Sequence, residues 1–117
     1  MTRDQIRAQH AYACVGRVAE ADRADYRVSV NYLGTNIMRS GLAAAVAFLQ
    51  RRKDAAAKQL IRDLASASIP GLVDTSGETF PERVRDLDLE VYMLATRETL
   101  KVAQWFKRAV QATFQEQ

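Results

Sequence analysis

Apolar positions recur along this chain at intervals of three and four residues, the spacing of a helix face. Thr2 followed by Gln5 reads as a capping box, opening a helix over Arg3 to about Asp22. Ile6, His10, Ala13 and Arg17 form one line on it, and Ala8, Tyr12, Val15 and Ala19 a second. Tyr26, Val30 and Leu33 share a face over Ala24–Leu33. The alternation of Val28 and Val30 suggests a strand, but nothing nearby offers it a partner. Gly34-Thr35 is expected to break or kink the chain. The pattern resumes with Ile37, Met38, Leu42, Ala45, Val46 and Leu49, with Gly41, Ala44 and Ala45 small enough for close helix packing.

Arg51-Arg52-Lys53 suits a helix C-terminus, where cations meet the negative end of the dipole. Asp54 is placed to cap a further helix from Ala55 to about Ser68, with Leu60, Ile61, Leu64 and Ala65 on its inner face. Ile69-Pro70-Gly71 ends it, and Gly71 to Phe80 reads as a loop. Pro81 is a start signal for a short helix over Arg83–Leu87. Asp88 opens the longest element, Leu89 to about Phe114, without Pro or Gly. The expected fold is all-α: five to six helices in an antiparallel bundle, with a long C-terminal helix spanning the molecule.

Length and composition narrow the picture. The 117 residues suit a single helical domain over 1–117. A lone Cys14 excludes an internal disulfide, and one His with one Cys excludes a zinc cluster. The longest mainly apolar run, Gly41 to Leu49, is too short to span a membrane. With a charged N-terminus that does not resemble a signal peptide, a cytoplasmic setting is the default expectation. The formal net charge is only +3, yet 13 of the 17 cations are Arg, the side chain whose planar fork suits phosphate and carboxylate. That balance leaves nucleic acid and an acidic protein face open as partners.

Candidate chemistry is sparse. His10 and Cys14 lie one helical turn apart, but the apolar surroundings favour a core role for both over a catalytic pair. Asp86, Asp88 and Glu90 alternate at two-residue spacing, which spreads them around a helix rather than converging them on a metal. They read as charges at the positive end of a helix dipole. No phosphate-binding or dinucleotide-binding glycine run occurs. No metal or cofactor is expected. Two basic clusters remain as candidate contacts for a phosphate backbone: Arg51, Arg52 and Lys53 with Lys58 and Arg62, and Lys101, Lys107 and Arg108 beside Trp105 and Phe106. Solvated helix faces account for such clusters equally well, and the two aromatics continue the apolar stripe.

Several ordered segments resemble one family. Ala95-Thr96-Arg97-Glu98-Thr99-Leu100, preceded by Tyr92 and followed by Trp105-Phe106-Lys107-Arg108-Ala109, is similar to the C-terminal helix of the small subunit of the Cmr complex, the type III-B CRISPR RNA-guided effector. Gly41-Leu42 with Ala47-Phe48-Leu49, the opening Gln5-x-Arg7-Ala8, and Tyr26 with Leu33 agree with it. The chain departs from the family pattern at Gly34, where Pro is frequent, at Ser40, where Asn is usual, and at Phe106, where an aliphatic is usual. The resemblance implies a non-catalytic scaffold stacking with copies of itself along the backbone subunits, next to the large subunit, and contacting guide RNA and target RNA. In that role the basic candidates face RNA, and Asp86, Asp88 and Glu90 face neighbouring subunits. Three alternatives stay open: the small helical subunit of the sister type III-A effector, a metal-dependent nuclease using the three acids, and an adaptor that binds only protein.

Overall fold

The structure, a computed structural model, describes residues 1–114. Six α-helices follow in order: α1 (Arg3–Gly16), α2 (Arg23–Ser40), α3 (Leu42–Arg52), α4 (Ala55–Ala65), α5 (Thr79–Asp86) and α6 (Leu89–Thr113), with a 3-10 turn at Glu20–Asp22 between the first two. Among the described residues there is no strand. The 25 residues of α6 run about 37 Å at ~1.5 Å per residue, close to the molecule's longest dimension of 42 Å. The all-α expectation with a long C-terminal helix holds.

Both capping predictions hold. Gln5 N donates to Thr2 Oγ1 (3.1 Å) while Thr2 N donates to Gln5 Oε1 (2.7 Å), and Ala57 N donates to Asp54 Oδ1 (2.7 Å). Several boundaries differ from the expectation. α1 ends at Gly16 rather than near Asp22. Beyond Val18 the charged run Glu20–Asp25 offers no apolar face to bury, and a helix without one gains little from packing. α2 continues straight through Gly34-Thr35. Its stripe of Tyr26, Val30, Leu33 and Ile37 is buried on both sides of Gly34, and that burial outweighs the ~1 kcal/mol propensity cost of one glycine.

The break falls instead at Gly41, whose φ of +94° and ψ of 164° are nearly exclusive to glycine. Gly41 is therefore the corner between α2 and α3 rather than a small residue inside a packed helix. α4 stops at Ala65 rather than Ser68: the Ala67 amide bonds back to Leu64 O (3.1 Å) in a tighter turn, and Ser68 follows at φ +57°, outside the right-handed helix region. α5 begins at Thr79, four residues before Arg83, because Ser76 Oγ accepts from the amides of Glu78 (3.3 Å) and Thr79 (3.2 Å). Pro81 sits in the first turn, where its missing N–H costs nothing.

α1 and α2 both pack along α6. Contacts between α1 and α6 advance together, Arg7 with Glu98 and His10 with Phe106. Those between α2 and α6 run oppositely, Tyr26 with Phe114 and the α2–α3 corner with Tyr92. α3 and α4 also pack against α2, and α5 leans on α3. Tyr26, Phe80, Phe106, Leu33, Leu60 and Leu64 are among the largest fully buried side chains. On α1 the buried residues are Ala11, Cys14 and Val15, so neither expected line is the core face as a whole: Ile6 on the first is 53% exposed and Tyr12 on the second 43%.

Candidate nucleic-acid interface

The first basic cluster assembles in part. Lys58 and Arg62, one turn apart on the exposed side of α4, line a groove of about 730 Å³ with Gln50 of α3 and Ser76, Gly77 and Glu78 of the loop before α5. The loop is pressed against Arg62: a Cβ on Gly77 would lie 2.7 Å from Arg62 Cγ. Arg62 also donates to Gln59 Oε1 (2.9 Å). Its guanidinium is therefore positioned from both ends, at a reduced entropy cost for receiving an anion. Arg51 is exposed, with its guanidinium 5.8 Å from the Phe48 ring centre. Lys53 ends α3 in the left-handed region at φ +61°. Arg52 is half-buried and paired with Asp54 at 3.2 Å, which satisfies its charge internally.

The second cluster comes apart in three dimensions. Lys101 reaches the Glu98 carboxylate at 3.5 Å. Arg108 lies over the half-buried Trp105 ring, 4.8 Å from its centre, while Phe106 is fully buried. Lys107 points to a different side of α6, into a second groove of about 390 Å³ shared with Arg27, Asn31 and Tyr32 of α2 and with Gln111 and Phe114. The α2 members of this groove are absent from the sequence-level candidates. Arg27 and Asn31 stand four residues apart, each one position after the buried Tyr26 or Val30, along the edge of the stripe, and that spacing is the signal by which they are found.

Asp86 closes α5, Asp88 takes the N-cap position of α6 and Glu90 lies in its first turn, all three exposed. Between them Leu89 is 72% exposed. Among the described residues no group of three or more His, Cys, Asp or Glu is placed to hold a metal.

His10 and Cys14 do meet. His10 Nε2 lies 3.4 Å from Cys14 Sγ and 2.9 Å from Ser66 Oγ. Burial lowers the imidazole below its ordinary 6.5, with Asp63 opposing and Arg17 adding to the effect. Burial, with the nearby Asp63, pushes the thiol up to about 12. A thiol so poised stays protonated at neutral pH and is a poor nucleophile. Cys14, 1% exposed, is a core residue.

Two interior contacts bear on ancestry. Arg7 of α1 makes a hydrogen-bonded ion pair with the buried Glu98 of α6. Ala43 N, in the first turn of α3, donates to Tyr92 Oη at 3.0 Å, beside the Gly41 corner. Arg7, Tyr92 and Glu98 are among the residues through which the chain resembles a known family, and their contacts join distant segments. A profile of the family described as CRISPR-associated protein (Cas_Cmr5) matches residues 3–113. This chain belongs to the Cmr5 family.

A CRISPR system Cmr subunit Cmr5 of Thermus thermophilus is 37% identical over 116 residues, covering 98% of each chain. The crystal structure of a CRISPR-associated Cmr5 family protein from Thermus thermophilus is similar with a TM-score of 0.86 at 34% identity, covering 98% of this chain and 100% of that one. Membership of the Cmr5 family separates the chain from the type III-A small subunit, a choice that residue spacing leaves open. Some of the residues carrying the family likeness are structural. Glu98 and Thr99 are buried, and Thr99 Oγ1 donates to Ala95 O (2.7 Å). No helix among the described residues is long and apolar enough to cross a membrane.

Proposed function

We propose that this chain is a non-catalytic structural subunit of a Cmr effector complex, stacking with copies of itself beside the backbone and large subunits and lending cationic groups to the target RNA backbone. The observation that carries the reading is the Cmr5 family match over residues 3–113, together with a 37% identical relative named as a Cmr subunit. The groove holding Lys58 and Arg62 supports the RNA contact, with Arg51, Lys53, Lys101 and Arg108 as further candidates. Such contacts position a strand without reading its sequence, which pairing with the guide RNA supplies. The exposed acids Asp86, Asp88 and Glu90 suit a basic face on a neighbouring subunit.

The test is reconstitution with a tagged backbone subunit, guide RNA and target RNA. Replacing Lys58 and Arg62 with Gln is expected to weaken target binding at moderate salt and to flatten its salt dependence by about 0.7 in the log–log slope for each phosphate contact removed. Unchanged affinity and slope would sink the groove assignment. Asp86→Lys with Asp88→Lys is expected to reduce incorporation into the complex. Unchanged mass-photometry profiles would remove the acidic corner from the interface.

A further inference from the structure

The groove between α2 and α6 differs in kind from the one on α4. The α4 groove sets a carboxylate, Glu78, against its two cations. The α2–α6 groove brings together a guanidinium (Arg27), an ammonium (Lys107), two side-chain amides (Asn31 and Gln111) and two aromatic rings (Tyr32 and Phe114). The two rings play different parts. Phe114 is 4% exposed and forms the floor, with the guanidinium groups of Arg23 and Arg27 at 5.0 and 5.8 Å from its centre. Tyr32, on α2, is 56% exposed and lines the groove.

An aromatic more than half exposed on a regular helix leaves much of its ring in water in the isolated chain. Next to a cation it is the arrangement that holds single-stranded nucleic acid, the base stacking on the ring and the phosphate meeting the charge. The amides at the rim have donors and acceptors suited to base edges without demanding one base. A groove of about 390 Å³ is within the range of small-molecule sites and is of a size to admit one nucleotide rather than a duplex.

We propose that the α2–α6 groove is a subsite for one unpaired nucleotide of RNA, with the base stacked on Tyr32 and the adjoining phosphate on Lys107. This rests on the RNA-contacting role proposed above and adds a second, separate site to it. It also accounts for the position of Lys107, which turns away from Lys101 and Arg108.

The experiment uses the assembled complex with and without this chain, probed with a fluorescein-labelled target RNA carrying unpaired uridines and read by anisotropy. Tyr32→Ala is expected to weaken binding roughly five- to a hundredfold of the chain's own contribution, the range for losing one stacked base, while Tyr32→Phe retains it. Lys107→Gln is expected to lower the log–log salt slope by about 0.7. Both positions are exposed, and a circular dichroism melt checks that each variant folds. If adding the chain contributes nothing to RNA affinity, the RNA-contacting role and the subsite both fall. If the chain contributes but Tyr32→Ala binds as well as the parent, the subsite alone is overturned. If Tyr32→Ala impairs assembly in the absence of RNA, the groove belongs to a protein partner and the proposal is likewise overturned.

Discussion

Among the described residues two carboxylates are buried to the same depth, Asp63 and Glu98 at 3% exposure each, and they are held by opposite means. Asp63 on α4 accepts from neutral donors, Tyr26 Oη at 2.6 Å and Gln59 Nε2 at 2.8 Å. Glu98 on α6 faces charges: the hydrogen-bonded Arg7, whose side chain is only 10% exposed, Lys101 at 3.5 Å and Arg3 at 3.8 Å. Both solutions satisfy the rule that a buried charge needs partners, but they fail differently. Removing a neutral donor leaves a carboxylate with fewer hydrogen bonds. Removing Glu98 leaves the Arg7 charge, only 10% exposed, unmatched.

The largest effect is therefore expected at Glu98. Glu98→Gln leaves Arg7 buried without a counter-charge, at a cost of about 3–5 kcal/mol, a large share of a small fold's stability. Urea unfolding measures it, and the double variant Arg7→Met with Glu98→Leu should recover most of the loss by replacing both charges with apolar groups. A single variant no less stable than the parent would show that the pair does not hold α1 to α6.

Tyr26→Phe is expected to cost less, about 1–3 kcal/mol, because Gln59 still serves Asp63. The same unfolding measurement ranks the two, and a reversed order would break the contrast between charged and neutral satisfaction.

The smallest effect is expected on acidification. Burial alone would raise the Glu98 carboxyl, but the hydrogen bond and charge of Arg7, with Lys101, outweigh it and hold the group below its ordinary 4.5. A depressed folded value stabilises the fold above the unfolded value, and that stability is lost as pH falls through the folded one. Melting temperature should thus decline from about pH 4.5 downward, and Arg7→Met should flatten that decline. Identical acid limbs in parent and variant would argue against the pair as its source.

Much of the fold is legible in the residue pattern. The caps at Thr2 and Asp54 and the stripe through Tyr26, Val30 and Leu33 are local features, set by spacing within a turn or two, and they appear where expected. The errors arise where a local signal competes with a distant one. Gly34 looks like a breaker within its own segment, but the core buries the residues on either side and the helix runs through. Gly41 looks like a packing residue, but the chain turns there, with Tyr92 Oη 3.2 Å from where a Cβ would stand. Nothing within ten residues of Gly41 announces Tyr92.

The same division runs through the candidate sites. Lys58 and Arg62 are four residues apart on one helix, and their convergence is visible in the sequence. Lys101, Lys107 and Arg108 are near in sequence, but Lys107 turns into the groove with α2 while Lys101 and Arg108, two turns apart, stay outside it, so proximity along the chain misleads.

The sequence by itself determined the class of fold, the sparse chemistry and the kinship, since each depends on which residues are present and how they are spaced. Tertiary structure alone decided that Arg7 answers Glu98 across 91 positions, that Tyr92 meets the α2–α3 corner, and that Lys107 joins Tyr32 and Asn31. Those pairings follow from how helices lie against one another. A helix's own periodicity states which face is buried but not which neighbour covers it.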